Sequence, residues 1–163
     1  MKRELTLGEQ VLEIARKFPS HDALSFDGVN YSYSELSEGV AQWFKALKDS
    51  KSYEQRIGVY ATNDFESYTA LIAISAYGAS FVPLNPEYPK DRLEQICREA
   101  KLSTILNGEN IAQEIGLNAI KKSSSGVDPS EMLPCVNQSG SYVIFTSGTT
   151  GAVSYTHLTA ADE

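Results

Sequence analysis

Arg56-Ile57-Gly58-Val59-Tyr60-Ala61 is a compact strand candidate, and Ser80-Phe81-Val82-Pro83-Leu84 is the next one. Between them Asn63-Asp64 offers side chains that cap helix N-termini, and Gly78 is the residue type that ends helices. The stretch therefore reads as strand, helix from about residue 63 to Tyr77, strand. Two strands joined through a helix lie parallel in one sheet, so this segment predicts an α/β fold built from βαβ units.

The pattern continues on both sides. Downstream, Leu93, Ile96, Cys97 and Ala100 recur at helical spacing, residues 103–106 form a short strand candidate, and residues 109–120 read as weakly helical. Pro83, Pro86 and Pro89 make the intervening connector stiff and extended, because proline fixes φ and restricts the residue before it. Residues 123–134 read as a polar loop, and residues 141–145 as a last strand, apolar from Tyr142 to Phe145. Upstream, residues 7–18 carry Leu7, Val11, Ile14, Ala15 and Phe18 as an amphipathic helix stopped by Pro19. Two short runs flank Asp27-Gly28, the dipeptide of a tight hairpin turn. Ser32 and Glu35 then have capping-box spacing, opening a helix that presents Leu36, Val40, Phe44 and Leu47 on one face and ends near Asp49-Ser50.

At 163 residues the chain has room for one domain or part of a larger one. With 42% hydrophobic and 21% charged residues, its composition is that of an ordinary globular protein. The net charge of −7 repels polyanions, so neither nucleic acid nor an anionic membrane is an expected partner. Met1-Lys2-Arg3-Glu4 leads into no apolar signal core, and the apolar run from Ala70 to Leu84 is interrupted by Ser75, Gly78 and Ser80. A cytoplasmic location is the expectation. Cys97 and Cys135 have no metal-site spacing and read as free thiols. His21 reads as a surface residue.

The chemistry points to Tyr142-Val143-Ile144-Phe145 followed by Thr146, Ser147, Gly148, Thr149, Thr150 and Gly151. A buried strand would deliver the chain into a loop of hydroxyls and glycines. Glycine leaves backbone N–H groups free to point inward, and Ser and Thr add donors, which suits phosphate. A solvated turn has the same composition, so residues alone leave both readings open. The loop is not of the GxxxxGK[ST] type.

The ten residues from Tyr142 to Gly151 resemble the phosphate-loop signature of the AMP-binding, adenylate-forming superfamily. Two further segments agree in order. Residues 77–93, from Tyr77-Gly78-Ala79 through Pro86-Glu87-Tyr88-Pro89 to Arg92-Leu93, resemble the family's proline-rich stretch, and Tyr31-Ser32-Tyr33-Ser34-Glu35-Leu36 resembles an early one. The Tyr-Pro connector is more similar to amino-acid adenylation domains and D-alanine–carrier protein ligases than to acyl-CoA synthetases. The resemblance implies the N-terminal part of the large adenylate-forming domain, incomplete, with a mainly parallel sheet. It implies ATP and Mg2+, and a small carboxylic or amino acid, D-alanine being the best guess. It also implies a phosphopantetheinyl carrier protein or CoA as thiol acceptor. The acid's carboxylate attacks the α-phosphate, pyrophosphate leaves, and a thiol then takes the acyl group. Thr146 to Gly151 would hold the β- and γ-phosphates, and no catalytic or metal-binding residue is assigned.

The family continues after this loop with Lys-Pro-Lys-Gly, whereas this chain has Ala152-Val153-Ser154-Tyr155. Residues 152–163 resemble adaptor-derived sequence and are expected to be a non-native tail, so His157 is assigned no role. Residues 1–151 are then the native portion. The family's adenine, ribose, substrate-pocket and mobile C-terminal segments have no counterpart here. The chain alone is expected to be inactive and poorly soluble, with part of its sheet edge uncovered. A nucleotide-binding module without catalysis, or a flavodoxin-shaped interaction domain, are the competing readings.

Overall fold

The computed structural model describes residues 5–132 and 142–145. Thr6 opens α1 (Leu7–Lys17), with reciprocal bonds between Thr6 and Glu9 that form a capping box. Gly8, Leu12 and Ala15 are its buried face. Gly8 permits a close crossing over α3 (Phe65–Tyr77), since a Cβ there would lie 2.4 Å from the Ala76 amide nitrogen. The hairpin expected at Asp27-Gly28 joins β1 (Asp22–Phe26) to β2 (Val29–Ser32). Asp27 (φ 49°) and Gly28 (φ 81°) both adopt the left-handed conformation that a type I′ turn demands. Ser32 and Glu35 form their capping box at the start of α2 (Tyr33–Ser50), where Leu36, Val40, Phe44 and Leu47 are buried.

The main sheet has four strands in the order β4-β3-β5-β6, all parallel: β3 (Arg56–Tyr60), β4 (Ser80–Leu84), β5 (Thr104–Leu106) and β6 (Asn118–Ile120). Gly78, at φ 92°, ends α3 before β4. Between the later strands lie α4 (Lys90–Ala100) and α5 (Glu109–Ile115). One core cluster packs α1, α2 and α3 against Ile57 and Val59, and the other packs α4 and α5 against Val82, Leu84 and Ile105. Both faces of the sheet are therefore covered, as a parallel sheet requires. Full burial of one such Leu or Ile side chain stabilises by about 1.5–3 kcal/mol.

Two expectations need correction. Residues 109–120 are not one helix: Gly116 (φ 75°) stops α5, and residues 118–120 become β6, pairing Thr104 with Asn118 and Leu106 with Ile120. Three residues show no periodicity, so only β5 as a neighbour makes them a strand. The expected last strand reduces, among the described residues, to one parallel bridge between Phe81 and Tyr142, with the Val143 N–H donating to the Phe81 carbonyl at 3.0 Å. Ser80 and Leu84 bond toward β3, so alternation turns Phe81 and Pro83 to the outer edge of β4. Pro83 has no N–H to continue that ladder.

Cys97 is buried, and burial raises its thiol pKa to about 11. His21 is exposed, its ring edge-on to Phe18. Cys135 and His157 lie outside the described residues.

Candidate functional site

From β3 the chain crosses by α3 to β4 on one side, then by α4 to β5 on the other. Such a reversal opens a crevice at the carboxyl ends of the strands, where open α/β sheets bind ligands. The parallel sense of the Phe81–Tyr142 bridge sends residues 142–145 toward that same edge. There a cavity of about 420 Å3 is lined by Ala61 and Asn63 after β3, Pro83 and Asn85 at the end of β4, Tyr88, and Phe145. Phe145 immediately precedes the sequence-identified loop. Thr146, Ser147, Gly148, Thr149, Thr150 and Gly151 themselves lie outside the described residues.

Local hydrogen bonds shape the rim. Asn85 Oδ1 accepts the Glu87 N–H at 2.9 Å, and the Asn85 carbonyl accepts the Tyr88 N–H at 3.1 Å. Asparagine and aspartate both supply that side-chain oxygen, so either residue forms this turn. The loop after β3 is tied more tightly. Asp64 accepts from the Ser67 N–H (2.8 Å) and from the Thr62 hydroxyl (2.7 Å), while the Thr62 N–H donates to Ser67 Oγ (3.0 Å). Asn63 sits there at φ 58°, a conformation asparagine tolerates better than most residues. Burial pushes the Asp64 carboxyl up, but the hydrogen bonds from Ser67 and Thr62 outweigh it and leave the pKa lowered. Asn107 was not identified from sequence as a site residue. Its Nδ2 reaches the Tyr60 carbonyl at 3.1 Å, linking the ends of β5 and β3. The signal available was Asn107-Gly108 directly after a strand candidate, a turn dipeptide.

Among the described residues no group of three or more His, Cys, Asp or Glu is placed to hold a metal ion, and no helix is long and apolar enough to cross a membrane.

The sheet order, the reversal and the cavity define a doubly wound α/β unit with a concavity at the carboxyl edge of its sheet. The AMP-binding enzyme family matches residues 11–158, and the chain belongs to that family. Bacitracin synthase 1 of Bacillus licheniformis is 33% identical over 153 residues, covering 90% of this chain and 3% of that protein. Syringomycin synthase SyrB1 of Pseudomonas syringae pv. syringae is 30% identical over 145 residues, 84% of this chain and 24% of that one. Among solved structures, the nonribosomal peptide synthetase FmoA3 with alpha-methyl-L-serine-AMP bound superposes with a TM-score of 0.74 at 20% identity, over 88% of this chain and 17% of that one. The N-terminal subdomain of Klebsiella oxytoca NpsA gives 0.72 at 18% identity, over 92% and 41%. The chain thus spans a minor part of each of these relatives, and its fold is that of the N-terminal part of the adenylation domain.

Proposed function

We propose that this chain supplies the phosphate-gripping part of an ATP-dependent ligase that activates a small amino acid as its adenylate. The observation that carries the reading is the parallel course of residues 142–145, which leads to Phe145 in the carboxyl-edge cavity directly before the Thr/Ser/Gly loop. In this reading the hydroxyls and backbone N–H groups of Thr146, Ser147, Gly148, Thr149, Thr150 and Gly151 receive the β- and γ-phosphates. They stabilise the charge that grows on pyrophosphate as the acid's carboxylate attacks the α-phosphate. Losing one preorganised donor in an intact domain costs on the order of 2–4 kcal/mol of barrier. Mg2+ neutralises phosphate charge when bound; Glu87 is the carboxylate that lines the cavity, and such ions are commonly held by one or two carboxylates plus substrate phosphates.

The FmoA3 relative also superposes in an AMPPNP-bound form, which supports ATP as the nucleotide. A solved structure holds NpsA artificially fused to a PCP domain, which supports a carrier protein as the partner and a phosphopantetheinyl thiol as the acyl acceptor. We assign the ligase to the cytoplasm. We assign residues 1–151 to the adenylation domain and residues 152–163 to a non-native tail. We propose that the chain alone binds phosphate without turnover and does not itself select the acid, D-alanine or another small amino acid.

The test is titration of the full chain with ATP, followed by 31P NMR. Broadening of the β- and γ-phosphate signals that is lost in Gly148→Ala and Thr149→Ala supports the reading. Equal broadening in both variants overturns the loop assignment. Amino-acid-dependent exchange of pyrophosphate into ATP by this chain overturns its inactivity. Sub-micromolar ATP affinity favours a self-sufficient nucleotide-binding module instead.

A further inference from the structure

Asn107 is the one asparagine of the chain that precedes a glycine. In that dipeptide the next main-chain nitrogen can attack the asparagine Cγ, because glycine has no Cβ to crowd the approach. The fold nevertheless calls for both residues at this place. Gly108 is buried, and a Cβ on it would stand 2.8 Å from the Tyr60 Cβ and 3.0 Å from Ile105 Cδ1 and Ile111 Cγ2. Asn107 takes φ 56°, which asparagine tolerates, and its Nδ2 donates to the Tyr60 carbonyl at 3.1 Å. The tie between the ends of β3 and β5 is therefore built from a chemically labile pair.

The same geometry holds the reaction off. Ring closure needs the Gly108 nitrogen and the Asn107 side chain on one side of the Cα–C bond. With φ at 56° the allowed ψ is about +30 to +60°, which turns that nitrogen to the side opposite Cβ. The side-chain amide is pinned as well, by the Tyr60 carbonyl and by Thr62 Oγ1 and Ser67 Oγ at 3.3 Å each. While β5 stays tied to β3, the two reacting atoms face apart.

We infer that Asn107-Gly108 is a deamidation site that is shut while β3 and β5 are tied, and that its reaction makes opening of the carboxyl edge irreversible. On opening, the Gly108 nitrogen gives its proton to solvent and bonds to Asn107 Cγ. The Cγ–Nδ2 bond breaks, ammonia leaves, and a cyclic imide remains. Water then adds at Cγ to give aspartate, or at the main-chain carbonyl carbon of residue 107 to give isoaspartate. Either product lacks the Nδ2 donor that the Tyr60 carbonyl requires. Each also brings a carboxylate toward Thr62 Oγ1, whose hydroxyl already donates to Asp64 at 2.7 Å. Isoaspartate lengthens the main chain by one carbon beside Gly108, where Tyr60 leaves no room. The closed arrangement is not regained from either product.

The full chain is incubated at pH 8 in oxygen-18 water, in buffer and in 6 M guanidinium, and residue 107 is followed by peptide mass spectrometry. Label is expected in both samples and slower in buffer by about tenfold or more, the factor by which closed molecules outnumber open ones. Deamidated chain returned to buffer is expected to show a lower urea midpoint than unmodified chain carried through the same steps. Equal labelling rates in buffer and guanidinium overturn the gating. No label at residue 107 in guanidinium overturns the site, and an unchanged midpoint overturns the irreversibility. None of these readouts involves nucleotide, so they stand apart from the test of the phosphate loop.

Discussion

Asn107 Nδ2 donates to the Tyr60 carbonyl at 3.1 Å, tying the carboxyl end of β5 to that of β3 across 47 residues of sequence. The same nitrogen lies 3.3 Å from Thr62 Oγ1 and 3.3 Å from Ser67 Oγ, so one amide organises the loop after β3. Asn107 also takes φ 56°. Asn107→Asp keeps the tolerance for that conformation but removes the donor. It is expected to destabilise the chain by about 0.5–1.5 kcal/mol, the usual net contribution of a hydrogen bond, since its acceptors are only part-buried. Urea denaturation checks this as a lower midpoint at unchanged slope.

Gly8 faces the α3 backbone, with the Ala76 nitrogen 2.4 Å and the Ile72 oxygen 2.5 Å from where a Cβ would stand. Alanine gains up to about 1 kcal/mol of helix propensity over glycine. The clash is with backbone, which cannot rotate aside, and overpacking of this kind costs about 1–3 kcal/mol. Packing outweighs propensity, so Gly8→Ala is expected to lower the melting temperature. A rise on differential scanning calorimetry would show that α1 does not cross α3 this closely.

Asp64 caps α3 through the Ser67 N–H and has a lowered pKa in the folded chain. A carboxyl whose folded pKa lies below its unfolded one contributes stability above the unfolded value, about 3.8 here, and loses it as pH falls through the folded value. Asp64→Asn keeps an N-cap oxygen and cannot titrate. Its urea midpoint is expected to change less than that of wild type between about pH 5 and pH 2.5. Parallel acid limbs for the two proteins would exclude Asp64 as a contributor.

Cys97 is 5% exposed, and desolvation raises its pKa to about 11. At pH 8 the reactive thiolate is then about one part in a thousand, on top of steric exclusion. Pulsed alkylation with iodoacetamide, read by peptide mass spectrometry, is expected to leave Cys97 unmodified in the native chain and to modify it in 6 M guanidinium. Rapid native labelling at Cys97 would show that α4 opens readily.

Local chemistry made much of this fold readable. Asp27-Gly28 forms its turn, Ser32 and Glu35 cap α2, and Asp64 and Gly78 bound α3, because each depends on residues a few positions apart. β6 was hidden because Asn118-Ala119-Ile120 becomes a strand only beside Thr104-Ile105-Leu106. The final strand was over-read because apolar character says nothing about what lies opposite, and Pro83 on the outer edge of β4 has no hydrogen to give it.

By itself the sequence determined the alternation of strands and helices, the family, and the loop of hydroxyls and glycines, since short-range spacing and side-chain type carry that information. Only the tertiary structure decided the strand order β4-β3-β5-β6. It therefore also decided that Tyr60 and Asn107 would meet, and that Gly108 would close against Tyr60 with no room for a side chain. Those juxtapositions join residues tens of positions apart. They follow from which strand the chain crosses back to, a choice set by how both faces of the sheet are buried at once.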